Sequence, residues 1–349
     1  MVASNAKIVC LFLTIMLMGL FSTIMDTRGS IRNSTELSSY GLVSHEPLSD
    51  GPLRSGPLPY TGIGGDYCLI YDSGDVERWI TWGTGSQSWV EAAAAFKPNY
   101  HTAALGFEFN SVEGGSKLDY TKFRKVLEIF DAAGLDVIAY LIQQPYAEGY
   151  AFSSEYWNDW ISFAYEFKGD GRIAAFSLYS EFVPENLPAD KTLYDAMAKF
   201  ADLTRAIHTV DPNRVVIFPT GQLCYDYAID WIVDIQNTGI VREPNVVFDV
   251  VHPYFFENSW DMGLTPEQKA VWYSNNWIAP CVNAFGANRC YGGETFAWFG
   301  RNDNLQRRWL AAIISEYAAH NVGFTVWGVL GGAAWYNLNI QGILASNYR

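Results

Sequence analysis

The chain has 349 residues and is 49% hydrophobic and 16% aromatic, enough to bury one large core of the size an α/β barrel needs. Its 23 Lys and Arg face 37 Asp and Glu, a formal charge of −14. That balance argues against nucleic acid and anionic membrane surfaces as partners, because both are bound through cationic patches.

Residues 1–28 hold one lysine and then an uncharged run from Ile8 to Met25. The run is longer than the apolar stretch of a cleaved signal, about 7–15 residues, and shorter than the roughly 20 of a spanning helix. No small-x-small cleavage site is visible. We expect export, to the outside of the cell or its outer face, with a cleaved signal and a retained membrane anchor both open. Residues 29–59, with "SDGPLRSGPLPYTG" at their end, have the Ser, Gly and Pro content of a flexible spacer and carry the sequon Asn33-Ser34-Thr35. A single folded domain is expected over 60–349.

Within that domain short apolar runs alternate with amphipathic stretches. "YCLIYDS" (67–73) is an expected strand and "SQSWVEAAAAF" the helix after it, with "RWITWG" (78–83) as the other place for the first strand. "TAALGFEFN" (102–110) is strand-like. Phe123, Val126, Leu127 and Phe130 then share one helical face that Gly134 terminates. "LDVIAYLIQ" (135–143) has the continuous apolarity of a buried parallel strand. A helix capped by serine follows in "SSEYWNDWISFAYEFKG", and "RIAAFSLYSE" (172–181) is the next strand. Leu193, Met197, Phe200, Thr204 and Ile207 mark a helix that Pro212 stops. Strands at 214–221, 245–256, 288–294 and 322–330 complete the series, separated by helices at 227–239, from Pro266 to about Val282, and around Leu305, Trp309, Ala312 and Ile313.

Eight strands alternating with helices call for parallel pairing through right-handed crossovers, and the expected fold is a (β/α)₈ TIM barrel. A doubly wound sheet is the alternative. It wants a glycine-rich phosphate loop after its first strand, and "TGIGG" (61–65) precedes that strand instead. Of five cysteines, Cys10 lies in the export segment. Cys281 and Cys290 bracket a turn and are the preferred disulfide; Cys68–Cys224 and four free thiols are the other arrangements.

Barrel active sites form at the C-terminal ends of strands. There the sequence places Glu108 and Asn110, Gln143 and Gln144, Glu181, His252 and Tyr254, Glu294 and Trp327. Two-residue alternation puts Ile173, Ala175, Ser177, Tyr179 and Glu181 on one face, and Cys290, Gly292 and Glu294 on one face. Two carboxylates at one mouth suit acid/base work on a glycosidic bond. One must carry a proton for the leaving oxygen while the other is ionised, and mutual repulsion with partial burial separates their pKa values. A strand-end carboxylate can also be held structurally by an arginine or a helix N-terminus. Glu185, in the loop beyond, suits solvent. No H-E-x-x-H, C-x-x-C, P-loop or nucleophile-elbow pattern occurs, and the five histidines lack zinc spacing, so no cofactor and no metal are expected.

Residues from about 60 to 345 resemble the clan A glycoside hydrolases, most of all the family five cellulase-type enzymes. "AAFSLYSEFVPEN" is similar to the fourth-strand segment ending in Asn-Glu-Pro, "VVHPYFF" to the sixth-strand His-x-Tyr, "CYGGETFAWFG" to the seventh-strand Gly-Glu and "FTVWGVLGG" to the eighth strand. The resemblance implies Glu181 as acid/base, Glu294 as nucleophile, His252 and Tyr254 beside the centre, Tyr254 bonding Glu294, and Trp327 under the reacting sugar. Trp298 is a second candidate platform and Glu108 a possible third carboxylate. It implies a retaining hydrolase of a β-linked polysaccharide, glucan or mannan, through a covalent glycosyl-enzyme. Three positions depart from the family: Ser180 replaces the asparagine that binds the sugar 2-hydroxyl, "ALGFEFN" lacks an arginine, and Gln143-Gln144 replaces a histidine. A serine hydroxyl is shorter and cannot donate twice, so rate or sugar preference should shift. A non-catalytic glycan-binding protein on the same scaffold and an inverting hydrolase are the competing readings. The expected partner is a poly- or oligosaccharide, the expected state a monomer.

Overall fold

The computed structural model describes residues 78–81, 85–88, 90, 93, 102–107, 109, 118–141, 150–179, 182, 187–220, 228–250, 252–255, 263–295 and 303–326. The segments expected at 1–28 and 29–59, the strand at 67–73 and the Cys68–Cys224 pair lie outside them.

Two short strands, β1 (Arg78–Thr81) and β2 (Gly85–Ser88), form an antiparallel hairpin of their own. "RWITWG" is therefore no barrel strand, and the helix expected from Ser86 starts later, since Ser86 and Ser88 pair with Ile80 and Arg78. Among the described residues the main sheet has seven parallel strands: β3 (Thr102–Phe107), β4 (Asp136–Leu141), β5 (Ile173–Ser177), β6 (Val215–Phe218), β7 (Val246–Asp249), β8 (Cys290–Thr295) and β9 (Gly323–Val326). They lie side by side in chain order. A doubly wound sheet reverses direction at a switch point, so this order excludes it; the fold is the TIM-barrel class, with β3–β9 in the places expected for the second to eighth strands.

The helices are α1 (Tyr120–Ala132), α2 (Ser154–Glu166), α3 (Leu193–Val210), α4 (Ala228–Thr238), α5 (Pro266–Tyr273), α6 (Ala279–Phe285) and α7 (Asp303–Ala319). Their starts follow local chemistry. Ser153 accepts from Tyr156 N, and Thr192 with Asp195 and Thr265 with Gln268 form reciprocal capping boxes. Gly134 ends α1 at φ 76°, a conformation that favours glycine. The helix expected from Pro266 to Val282 is present, running without interruption from α5 through a widened π-turn over Ser274–Ile278 into α6.

The strands separate two apolar layers. Ala104, Ile138, Ala175, Ile217, Val247 and Tyr291 belong to a cluster made of strand residues alone, the inside of the curled sheet. Leu105, Phe107, Val137, Phe176, Val216 and Phe248 pack outward on the helices. Phe107 stacks on Phe163 at 4.9 Å, and Phe123 and Trp160 meet it edge-on. Cys281 of α6 is disulfide-bonded to Cys290 at the start of β8, with Cα atoms 6.3 Å apart.

At the N-terminal ends of the strands, His208 donates from Nε2 to the Arg214 carbonyl at 3.0 Å, while its buried Nδ1 meets no partner among the described residues. Burial lowers its pKa from 6.5, against the Arg214 carbonyl, Glu243 and Asp211, which raise it. The unfolded chain then binds more protons than the folded one below pH 6.5, so stability falls as pH drops through 6.5 towards the folded pKa and is untouched above it. We expect His208→Gln, which keeps a donor for Arg214, to lose less stability than the parent between about pH 7.5 and about pH 5 in urea titrations; parallel losses would remove His208 as the cause.

Candidate active site

The approach to Glu181 is clamped on both sides. Leu178 N donates to Ile217 O at 3.2 Å, and the buried Tyr156 hydroxyl donates to Leu178 O at 2.8 Å. Tyr179 and Phe182, which flank Ser180-Glu181, are both buried and meet edge-to-face at 5.6 Å, and Phe200 of α3 packs on both. The expected single face over Ile173–Glu181 does not hold. Ala175 faces inward, but Ile173 and Tyr179 belong to the helix-side layer. The reason lies at the strand's two ends: a register shift between Val137 and Ile138 interrupts pairing near Ile173, and β5 stops at Ser177, after which nothing enforces alternation. Ser180 and Glu181 themselves lie outside the described residues, as do Glu108, Gln143, Trp298 and Trp327.

The expected strand at 245–256 is shorter in the structure: β7 ends at Asp249, with Val250 N still donating to Tyr291 O at 2.7 Å, and Pro253 has no N–H with which to extend a ladder further. His252 and Tyr254 therefore sit in an extended segment past β7, held from the helix side. Tyr254 N donates to the Tyr273 hydroxyl at 3.4 Å, Gln306 donates to Phe255 O at 3.2 Å, and Phe255 stacks on Trp309. His252 and Tyr254 are both buried.

In β8, Cys290 and Gly292 share one face as expected, and a bulge follows them; the side chain of Glu294 lies outside the description. The strand begins at Cys290, after a short 3₁₀ turn over Ala287–Arg289, so Asn288 and Arg289 are not part of it. Cys290 and Gly292 face the helices, and Gly292 lies against the ring of Tyr317 in α7. Thr295 also meets Tyr317, its hydroxyl 3.4 Å from the tyrosine oxygen. Two residues thus separate positions that face the same way, and pairing with β9 shifts register between Gly292 and Thr295. Glu294 falls inside the bulge, the device by which strands re-aim residues beside active sites. Because Glu181 and the side chain of Glu294 both lie outside the description, so do the distance between the two carboxyl groups and the expected Tyr254–Glu294 bond.

Next to Glu294 the structure adds a residue that strand-end reasoning overlooked. Asp249, the last residue of β7 and 8% exposed, accepts from Gly293 N at 3.0 Å through Oδ1 and from His252 Nε2 at 2.8 Å through Oδ2. His252 is 5% exposed. The two side chains fill the space over Gly293 so closely that a Cβ there would lie 2.5 Å from His252 Nε2 and 2.7 Å from Asp249 Oδ1. Glycine before Glu294 is thus a requirement of close approach. The Thr220 hydroxyl donates to the Asp249 carbonyl, tying β7 to the end of β6. A signal for Asp249 existed: it is the one carboxylate inside the apolar run "NVVFDVV". Among the described residues no group of three His, Cys, Asp or Glu side chains is placed to hold a metal ion.

No family model and no curated protein matches the chain. Solved structures do. A trimodular endoglucanase of the GH5_4 subfamily aligns with a TM-score of 0.60 at 14% identity, over 83% of this chain and 60% of that one. The clostridial cellulose synthase subunit Z of Clostridioides difficile aligns at 0.59 and 17% identity, over 77% of this chain and 91% of its own. A hyperthermophilic endo-β-1,4-glucanase solved with substrate aligns at 0.58 and 13%, over 77% and 88%. This chain thus spans 60% of the length of the trimodular enzyme. At these identities the likeness establishes the fold, that of the family five barrels.

Proposed function

We propose that the protein is a retaining β-glycoside hydrolase of the cellulase type, exported and acting on a β-linked glucan or mannan. The observation that carries this is the β8 bulge. It sets Glu294 at a strand end, directly after a glycine packed under the buried Asp249–His252 pair, on a barrel shared with endo-β-1,4-glucanases. In this reading Glu181 protonates the leaving sugar oxygen while Glu294 attacks the anomeric carbon. Glu181, now a carboxylate, then takes a proton from the water that releases the product. The carboxyl groups must then stand about 5–5.5 Å apart.

The test is release of reducing ends from a panel of β-glucans, mannans and xylans, with the anomeric configuration of early products followed by NMR. Turnover with β-anomer appearing first supports the proposal, and α-anomer first makes the enzyme inverting. Tight binding to a glycan without turnover would instead favour the non-catalytic binder, for which Ser180 is the motivating departure.

A further inference from the structure

We propose that Asp249 is the positioning residue of this site: one carboxylate sets the tautomer of His252 and, through Gly293, the place where the backbone delivers Glu294. The inference deepens the hydrolase reading and rests on it for its kinetic consequence, but its structural half stands on geometry alone.

An Asp carboxylate only accepts hydrogen bonds. Both of its contacts must therefore be donors, and they come from different parts of the chain: the His252 ring and the Gly293 backbone. Gly293 N has a fixed proton. The imidazole has a choice, and Asp249 makes it, holding the proton on Nε2 and leaving the lone pair on Nδ1. The same carboxylate fastens the first residue of the β8 bulge to the end of β7, just past the last backbone bond between the two strands among the described residues, Val250 N to Tyr291 O at 2.7 Å. Gly293 N itself donates to the Asp249 side chain, so that carboxylate holds Gly293 to the end of β7. Its burial keeps water from competing for either bond. A carboxylate added to an apolar strand interior would ordinarily be costly, and two converging N–H donors are what make it tolerable.

Asp249→Asn separates this role from simple packing. The amide has nearly the same shape but offers one acceptor and one donor group. If its oxygen keeps Gly293 N–H, its NH₂ faces His252 Nε2, and the ring must move its proton to Nδ1. In ¹⁵N-histidine-labelled protein, long-range ¹H–¹⁵N spectra report the tautomer of each ring directly, and His252 is identified by the signal lost in His252→Gln. We expect the Nε2–H tautomer in the parent and Nδ1–H in Asp249→Asn. On whichever panel glycan the parent hydrolyses, kcat should fall about 10- to 100-fold with KM within about threefold, the pattern of a displaced reacting group rather than of lost substrate binding.

The parent spectrum needs no variant to fold: an Nδ1–H tautomer there overturns the proposal. So does an unchanged tautomer in a folded Asp249→Asn, or a kcat within about twofold of the parent. A parent that hydrolyses no glycan in the panel sinks the hydrolase reading instead, and the two spectra then still decide whether Asp249 sets the ring.

Discussion

Glu294→Ala and Glu181→Ala are each expected to reduce hydrolysis of a β-linked polysaccharide by about 10⁴-fold, and to differ in how they fail. Without Glu294 no glycosyl-enzyme forms, so activated aryl glycosides, whose leaving groups need no proton, stay unreactive. Without Glu181 such substrates still glycosylate Glu294, and the intermediate then waits for a water that nothing deprotonates. Azide is the discriminating reagent, since it attacks without base assistance. It should rescue Glu181→Ala on an aryl glycoside and yield the β-glycosyl azide, formed from the covalent intermediate. With Glu294→Ala it enters the space left on the opposite face and yields the α-azide. Exchanged products would reverse the two roles. An Ala variant of either residue with parent-level turnover would remove that residue from the chemistry.

The second large effect is on stability, at the opposite end of the barrel. Arg214, at 0% exposure, precedes β6 and reaches into the turn between α2 and β5. Its Nε donates to Asp211 at 3.0 Å. The two terminal nitrogens donate to the carbonyls of Phe167 at 3.0 Å, Asp170 and Ile173, and the guanidinium lies 4.7 Å from the Phe176 ring centroid. Burial draws its pKa down, while Asp211 and Asp170 support the charged form. Removing one partner of such a buried set leaves the other charge and several carbonyls unsatisfied, which typically costs about 3–5 kcal/mol. We expect Arg214→Met to lower the urea midpoint by that equivalent, and Arg214→Lys to recover only part of it, because an ammonium has no planar fork to span three carbonyls and Asp211. Since these groups hold the turn opposite the candidate site, kcat of the folded variant should stay near the parent value. A lysine variant as stable as the parent would show that charge alone, without the fork, suffices.

Much of the fold was legible in the residues because its causes are local. Phe123, Val126, Leu127 and Phe130 recur at helical spacing, and all four are buried on one side of α1. Ser153 caps α2 through its own backbone neighbours, and Gly134 and Pro212 end helices by their own dihedral limits. The apolar runs that became β4, β6 and β7 needed no partner to be recognised, and their strict alternation with helices was enough for the barrel class.

The site was legible only in outline. Alternation assigned faces to Glu181 and Glu294, but alternation persists only while a strand is paired; β5 ends at Ser177, ahead of Glu181, and pairing slips in β8 at Glu294. The sequence by itself determined the succession of strands and helices and their barrel order, since both are written in local pattern, but it passed over Asp249, the carboxylate that ends β7. Only the tertiary structure decided that a bulge interrupts β8 at Glu294, that glycine is required before it, and that Asp249 joins His252 to that glycine across 44 positions of chain. Those are contacts between segments brought together by folding, and no periodicity within either segment encodes them.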